Sequence, residues 1–191
     1  MRYEKGQRER THDHIIDVAS RRFRADGVAA AGLAGVMQEA GLTNGAFYVH
    51  FKSKNDLVRE TLIAALDQQR DQAVQAISDG AGVEEIIRDY LSPKHRDTPS
   101  SGCPTAALVA EISRQQRKIR TAYTECFIKF VQLIADHIPH EDPSECRQKA
   151  VAVFSIMIGA LQLSRVASDK ALSDRILLDG IEVALQIVGR R

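Results

Sequence analysis

The chain has 191 residues, of which 44% are hydrophobic and 27% are charged, and its formal net charge is +1. This composition is typical of a soluble globular protein with one domain or two small ones, and it gives no overall polyanion-binding signature. The three cysteines, Cys103, Cys126 and Cys146, form no CxxC pair, which argues against a disulfide framework or a structural zinc site. The charged N-terminus argues against a signal peptide, and no apolar run reaches the ~18 residues of a membrane span. We therefore expect a cytoplasmic protein with no membrane partner.

The first predicted helix covers residues 7–26. Apolar residues recur at helical spacing along it, and Gly27 follows as a stop signal. They are Ile15, Ile16, Ala19 and Phe23. A shorter apolar segment ends at Val36 and Met37, which predicts a second helix.

The stretch VMQEAGLTNGAFYVHFKSK, residues 36–54, contains the signals for a tight turn between two helices. Gly41 supplies a position where positive φ is easily adopted, and Thr43 is a hydroxyl residue suited to cap a new helix. That helix must be very short, because Ser53 already caps the next one. Two short helices joined by such a turn form a helix-turn-helix, whose second helix enters the major groove of DNA.

The segment GLTNGAFYVHFKSKNDL resembles the recognition region of TetR-family (tetracycline-repressor-like) bacterial regulators, and the resemblance spans residues 15–57. Beyond it only chain length, helical pattern and a GALQLSR-type penultimate helix are similar. Gly32 stands where the family usually has Ser or Thr, and Arg22 stands where an apolar residue is common. The residues at the family spacing are Gly41, Thr43, Gly45, Tyr48, His50, Phe51, Lys54 and Leu57.

The resemblance and the chemistry of the side chains together predict a DNA-binding set. Thr43, Tyr48, His50 and Lys54 can donate to phosphate oxygens, which sets register without reading sequence. Gly45 would let the backbone approach the sugar-phosphate chain. Asn44 and Ala46, expected to be exposed, are the candidates for contact with base edges. The first 54 residues have nine Lys and Arg against six Asp and Glu, net +3, so positive charge is concentrated at this end.

The remaining sequence predicts further helices. Ser53 and Asp56 resemble a capping box that opens a long helix over residues 54–79. Shorter helices are expected at 84–91 and after Pro104, with Cys103 as its cap, and residues 92–102 read as a loop rich in Pro and Ser. Three more apolar helices follow, over 119–138, 150–163 and about 177–188. The predicted fold is all-α with about nine helices, a three-helix head at 1–53 and a ligand-binding and dimerisation body at 54–191.

The resemblance implies that the last two helices pair with those of a second subunit in a four-helix bundle, whereas an ordinary monomer core is the alternative. Gly159 and Ala160 would allow close helix packing. The predicted dimer interface comprises Phe154, Gly159, Leu161, Leu177, Ile181 and Leu185.

The resemblance also implies a pocket for a small-molecule effector between the middle helices. Its predicted lining is Leu62, Leu66, Leu91, Cys103, Leu108, Phe127, Phe130 and Met157. Each of these residues is more often plain core than ligand contact. Cys103 has a second interpretation as a reactive thiol at a helix N-terminus, with Lys94 and Arg96 nearby, against the simpler interpretation as a small capping residue.

We expect a homodimeric regulator, most simply a repressor, that releases a pseudo-palindromic double-stranded DNA operator on binding its effector. No cofactor, metal or enzymatic activity is expected, because His137 and His140 lack a recognised ligand spacing. Three alternatives remain. One is a repressor that senses oxidants or electrophiles through Cys103. The others are a cysteine-dependent enzyme and a helical small-molecule-binding protein with a vestigial head.

Overall fold

The computed structural model describes residues 5–139 and 142–189, and within these ranges it contains helices and no strand. The predicted all-α class is confirmed. The helices are α1 (Lys5–Asp26), α2 (Val28–Ala31), α3 (Leu33–Glu39), α4 (Asn44–His50), α5 (Lys54–Ser78), α6 (Val83–Tyr90), α7 (Pro93–Asp97), α8 (Pro104–Ile112), α9 (Arg117–Ala135), α10 (Pro143–Val166) and α11 (Lys170–Ile187), with a 3₁₀ turn at Pro99–Ser101.

The helices α1 to α4 form the N-terminal head around the buried side chains of Ile15, Phe23, Val36 and Phe47. Gly32 is the N-cap residue of α3. It forms no side-chain capping hydrogen bond, as expected for a residue that has no hydroxyl.

Arg22 holds α1 to α3. Its guanidinium lies against Gly35, where a Cβ atom would come within 2.8 Å of Nη1. The same group forms ion pairs with Asp26 at 3.4 Å and Glu39 at 3.6 Å. The charged head of Arg22 is therefore used in helix packing, and glycine at position 35 makes room for it.

The long helix α5 is buried only in its first half. Leu57, Val58, Leu62 and Leu66 are buried, whereas every described residue from Asp67 to Ser78 is half-buried or exposed. Ser53 caps the helix by accepting a hydrogen bond from the Asp56 backbone N–H at 3.1 Å, which confirms the predicted start. The buried half of α5 belongs to the same hydrophobic cluster as the head, so packing is continuous across the predicted boundary at 53/54.

A second hydrophobic cluster holds α6 and α8 to α11 together. Helices α10 and α11 approach closely in it, since a Cβ atom on Gly180 would come within 2.6 Å of Ala160 Cβ. Small residues therefore bring these two helices together, as the sequence suggested for Ala160.

The segment 92–102 is not the loop that the sequence predicted. It contains α7, which Ser92 caps by accepting from the His95 backbone N–H at 3.2 Å, and the 3₁₀ turn. Arg96 fixes this segment against α11. Its side chain is 9% exposed, donates to Ser173 Oγ at 2.9 Å and forms ion pairs with Asp97 and Asp174. The prolines and serines that resemble a loop signal are helix-starting residues here.

The expectation that no apolar segment could span a membrane needs correction. Among the described residues, α10 alone has the length and apolar composition for a span, a property that core helices of soluble proteins share. In the structure α10 packs on α11, α9 and α8.

Two polar contacts join the head to α8 and the segment before it. Glu111 of α8 accepts a hydrogen bond from the Val28 backbone N–H at 3.0 Å, directly beside Gly27. Arg24 of α1 donates to the Gly102 carbonyl oxygen at 3.1 Å. The orientation of the head is therefore tied to the segment that leads into α8.

Candidate functional site

The helix α4 has one face fixed in the head and one face open. Phe47 is completely buried and stacks on Phe51 with ring centroids 5.5 Å apart, so these two side chains hold α4 to the rest of the head. On the open side Tyr48 is 73% exposed, and Thr43, Asn44 and Gly45 are also exposed. An aromatic ring left this accessible on a seven-residue helix contributes little to the fold, so it is available for a partner.

Thr43 begins α4 as predicted, but its hydroxyl makes no capping hydrogen bond. The hydroxyl is therefore free to donate to a phosphate. Gly45 also has no internal reason to be glycine, because its φ is not positive and a Cβ atom would meet only Thr43 Oγ1, at 3.9 Å. A glycine that the fold does not require is consistent with close approach by another molecule.

Ala46 does not have the predicted exposure. Its side chain is half-buried and packs against the head cluster. The helical period turns position 46 inward beside Phe47, and this leaves Asn44 as the more accessible of the two base-contact candidates.

The C-terminal end of α4 is held by α1. Arg8 donates to the Val49 carbonyl oxygen at 2.7 Å, and His12 stacks on Phe51 with ring centroids 4.7 Å apart. His12 Nε2 also lies 3.0 Å from Glu60 Oε2 of α5. The sequence alone did not predict these contacts of Arg8 and His12, although their four-residue spacing places them on one face of α1.

His50 lies half-buried at the same end. Burial, followed by the nearby His12 and Arg8, lowers the pKa of its imidazole below the usual value. The Nδ1 atom is buried without a hydrogen-bond partner. Lys54 is exposed as the first residue of α5, immediately after the Ser53 cap.

A cleft of about 660 Å³ lies between the exposed half of α5, helix α1 and the segment from α6 to α8. Its walls include Asp17, Arg21 and Arg24 of the head, and Gln68, Gln69 and Gln72 of α5. Tyr90, His95 and Cys103 line its body side. The volume is within the range of small-molecule sites in proteins.

Cys103 caps α8, as predicted, with Sγ accepting from the Ala106 backbone N–H at 3.4 Å. The thiol also donates toward Gln69 Oε1 at 3.5 Å. His95 Nε2 accepts from the Cys103 backbone N–H at 2.9 Å, so Nδ1 carries the proton that is donated to the Tyr90 carbonyl oxygen at 2.7 Å. Burial lowers the pKa of His95, which favours this neutral form.

The predicted ligand contacts are not gathered around one cavity. Of the eight, only Cys103 and Phe130 line the large cleft. Leu62, Leu66 and Leu108 belong to the head-side cluster, and Leu91 and Met157 are 1% exposed within the body cluster. Phe127 packs partly buried against that cluster. Apolar helical stripes are used for the core here, and the residues around the cleft are more polar than the sequence suggested.

The predicted dimer residues divide in the same way. Phe154, Leu161 and Leu177 are at most 2% exposed within one protomer, so their side chains lie too deep to cover a partner. Gly159, Ile181 and Leu185 are partly accessible. The apolar periodicity predicted both helices correctly, but the residues that it marks face the core of the protomer and not the outer surface. The exposed apolar residues of α10 and α11 are Val151, Leu163, Val166, Leu172, Leu178 and Val183.

The head has four helices and not the predicted three, because the single-turn α2 follows Gly27. A helical head with an open, polar recognition helix, mounted on a larger helical body, defines a helix-turn-helix DNA-binding protein. Comparisons with known proteins identify the family. Residues 15–61 match the model of bacterial regulatory proteins of the tetR family, and residues 80–176 match the LmrA/YxaF-like C-terminal domain of transcriptional regulators. The chain belongs to the TetR family and is a DNA-binding transcriptional regulator.

Individual relatives agree with this assignment. The chain is 37% identical over 178 residues to the probable transcriptional regulator ArpR of Pseudomonas putida, covering 84% of this chain and 83% of ArpR. It is 45% identical to AcrR of Shigella flexneri over 56 residues, which covers 29% of this chain and 26% of AcrR. The reduced form of Escherichia coli NemR has the same fold, with a TM-score of 0.76 and 18% identity over 93% of this chain and 96% of NemR.

Proposed function

We propose that the protein is a homodimeric repressor that binds a pseudo-palindromic operator and releases it when a small molecule occupies the cleft beside Cys103. The observation that carries the DNA-binding part is the open face of α4, where Thr43, Asn44, Gly45 and Tyr48 are all exposed and none is needed by the core. With His50 and Lys54, these groups offer donors for phosphates and an amide for a base edge.

Dimerisation is supported by the outer face of α10. Val166 is 81% exposed and Leu163 is 62% exposed, on a helix whose other side is fully buried. Leu178 is a further exposed leucine on α11, the helix that packs beside α10. Apolar surface of this extent on two adjacent helices is characteristic of an interface. Two heads related by a two-fold axis would match a pseudo-palindromic operator.

Release by an effector follows from the position of the cleft between α1 and the body. A ligand that binds better to one head orientation must change operator affinity, and the operator must change ligand affinity by the same factor. Coupling of about 1–3 kcal/mol gives a roughly 5–150-fold loss of DNA affinity. The protein would act in the cytoplasm without a cofactor and without catalysing a reaction.

The experiment that tests this function is affinity capture of genomic DNA fragments by the purified protein, followed by sequencing and footprinting. We expect a pseudo-palindrome whose half-sites are separated by one helical turn, ~34–36 Å, or a multiple of it. Footprints without two-fold symmetry, or no enrichment at moderate salt, would refute the proposal.

Lys54→Ala should weaken binding to every DNA sequence about equally and reduce the salt slope by about one per subunit, because one phosphate contact is lost. Asn44→Ala should instead change the preferred sequence. Affinities measured by fluorescence anisotropy over a range of salt concentrations would check both. Lys52→Ala is the matched control for general charge, as Lys52 is also exposed but lies before the cap of α5. An identical slope change in both lysine variants would remove the specific role of Lys54.

Operator affinity should rise as the pH falls through the lower titration range of histidine, about pH 7 to 5. The pKa of His50 is lowered in the free protein, and an approaching phosphate would raise it, so binding takes up a proton. The gain should level off below the pKa of free His50. His50→Gln should flatten this dependence in anisotropy titrations at constant ionic strength, and an unchanged profile would exclude His50 from the phosphate contacts.

A second candidate function, a repressor that responds to electrophiles through Cys103, is favoured by the position of the thiol at the N-terminus of α8 on the cleft wall. Alkylation by N-ethylmaleimide should then release operator DNA, and Cys103→Ser should abolish the response. A serine variant that responds like the wild type would leave Cys103 as a capping residue. A Cys–His nucleophile pair with His95 is not formed, since both imidazole nitrogens already bond to backbone groups.

A further inference from the structure

The end of the cleft next to α8 is rich in hydrogen-bond donors that have no anionic partner. Arg24 lines this end and donates to two carbonyl oxygens, those of Ser20 at 3.2 Å and Gly102 at 3.1 Å. No carboxylate of the described residues lies within ion-pair distance of its guanidinium. Burial lowers the pKa of Arg24, as expected for a cation without a close counter-ion.

A second guanidinium lies behind the same end of the cleft. Arg165 of α10 donates to the carbonyl oxygens of Arg96 and His95, at 3.0 and 2.8 Å, and it likewise has no carboxylate at ion-pair distance among the described residues. Both guanidiniums lie near the Cys103 thiol at the start of α8. The positive end of the α8 dipole adds to their field.

Tyr90 supplies an independent observation that points to a missing ligand. It lines the cleft and is 8% exposed, and its buried hydroxyl has no hydrogen-bond partner of normal geometry, since only the weakly bonding Cys103 thiol interacts with it among its named neighbours. Burial, then the neighbouring Cys103, raises the pKa of Tyr90 well above its usual value, so the hydroxyl keeps its proton and remains a donor. Buried hydroxyls normally have a partner, and an unsatisfied one beside a cleft needs an explanation.

The carboxylates that line the cleft are engaged elsewhere or lie at its rim. Asp17 pairs with Arg21, and Glu85 accepts from the Gly82 backbone N–H at 2.8 Å. Asp89 is exposed. Asp17 acts on Arg24 electrostatically but forms no ion pair with it, so the donor-rich end can receive an anionic oxygen from outside the protein.

We propose that the effector is a small organic acid whose carboxylate binds at this end of the cleft, accepting hydrogen bonds from Arg24 and the Tyr90 hydroxyl. Arginine and a neutral phenol together match the two oxygens of a carboxylate. The volume of about 660 Å³ leaves room for an organic body along the glutamines of α5. This inference rests on the proposed effector site.

The same arginine connects the ligand to the DNA-binding head. Arg24 belongs to α1 and holds it to Gly102, one residue before Cys103. A carboxylate that attracts Arg24 competes with the Gly102 carbonyl oxygen for the same donors. Occupation of the cleft therefore acts directly on the contact that orients the head.

The test uses the full-length protein without DNA and pairs of acids and amides of equal shape: benzoate and benzamide, phenylacetate and phenylacetamide, octanoate and octanamide. Saturation-transfer NMR and calorimetry should detect binding of at least one acid and about tenfold or greater preference for it over its amide. Arg24→Gln should weaken the acid about tenfold or more, as loss of a charged hydrogen bond does, while Arg24→Lys retains part of the affinity. Tyr90→Phe should weaken it by a smaller factor.

Arg88→Gln is the matched control, because Arg88 is an exposed arginine on the same helix as Tyr90 that bonds to Glu84 and does not line the cleft, and it should leave acid affinity nearly unchanged. Melting temperatures verify that each variant is folded. Absence of acid binding to the wild type, equal binding of the amides, or equal losses in the Arg88 and Arg24 variants would overturn the proposal. Operator binding is measured separately, so a repressor whose effector is not an acid would be recognised as such.

Discussion

Replacing Gly159 with arginine should give a folded monomer that binds operator DNA far more weakly than the wild type. A Cβ atom at Gly159 would meet no atom within 4 Å, so one protomer accommodates the side chain. Gly159 follows Val151 and Ser155 at four-residue intervals on the outer side of α10, and Leu163 comes next. A long cation at the centre of a helix-to-helix interface would be buried without a partner, which dimerisation cannot tolerate.

The expected loss of operator affinity is large because the two heads bind one DNA molecule together. Linked binding sites typically gain about 10²- to 10⁴-fold over single ones. Size-exclusion chromatography with light scattering would report the assembly state, and anisotropy the affinity. Ile128→Arg is the control, since Ile128 is 58% exposed on α9 and lies outside the proposed interface. A monomeric wild type at micromolar concentration, or a dimeric Gly159→Arg variant, would contradict the proposed interface.

Gly27→Ala should have the largest effect on folding stability. Gly27 has φ +83° and ψ 158°, a conformation nearly restricted to glycine, and forcing alanine into it costs about 1–3 kcal/mol. A Cβ atom there would also come within 2.5 Å of Glu111 Oε1. If Glu111 moves away, the Val28 backbone N–H loses its charged acceptor, which costs up to about 3 kcal/mol more.

Urea unfolding at fixed protein concentration would measure the change, because dimer stability depends on concentration. Gly41→Ala is the control, as Gly41 also has positive φ but no atom within 4 Å of its Cβ position, so strain alone should cost about 1–2 kcal/mol. In a Glu111→Ala background the cost of Gly27→Ala should fall toward that of Gly41→Ala. Equal costs in both backgrounds would show that Glu111 does not tie the head to the body.

The DNA-binding part of this protein could be predicted closely from the sequence because its signals are local. Gly41, Thr43 and Ser53 fix the turn and the helix starts within a few residues of chain, and each boundary is found in the structure. Phe47 and Phe51 identify the inner face of α4 in the same local way. Ala46 was placed wrongly because exposure on so short a helix depends on how the neighbouring helices cover it.

The ligand and dimer residues could not be chosen from periodicity, because an apolar stripe shows that a helix has a buried side but not what buries it. Phe154, Leu161 and Leu177 face the protomer core. Leu163 and Val166 lie on another side of α10 and are exposed. Likewise, Leu62 and Leu108 were predicted to line the effector pocket, but they belong to the hydrophobic cluster of the head.

The sequence by itself determined the all-α class, the helix-turn-helix and its open recognition helix, since these follow from contacts between residues close along the chain. Only the tertiary structure decided the rest. Glu111 meets Val28 across 83 positions, and Arg24 meets Gly102 across 78. Tyr90 and Arg24 come to line one cleft although they lie on different helices of body and head. No local pattern encodes such pairs, because the packing of helices brings them together only after each helix has formed.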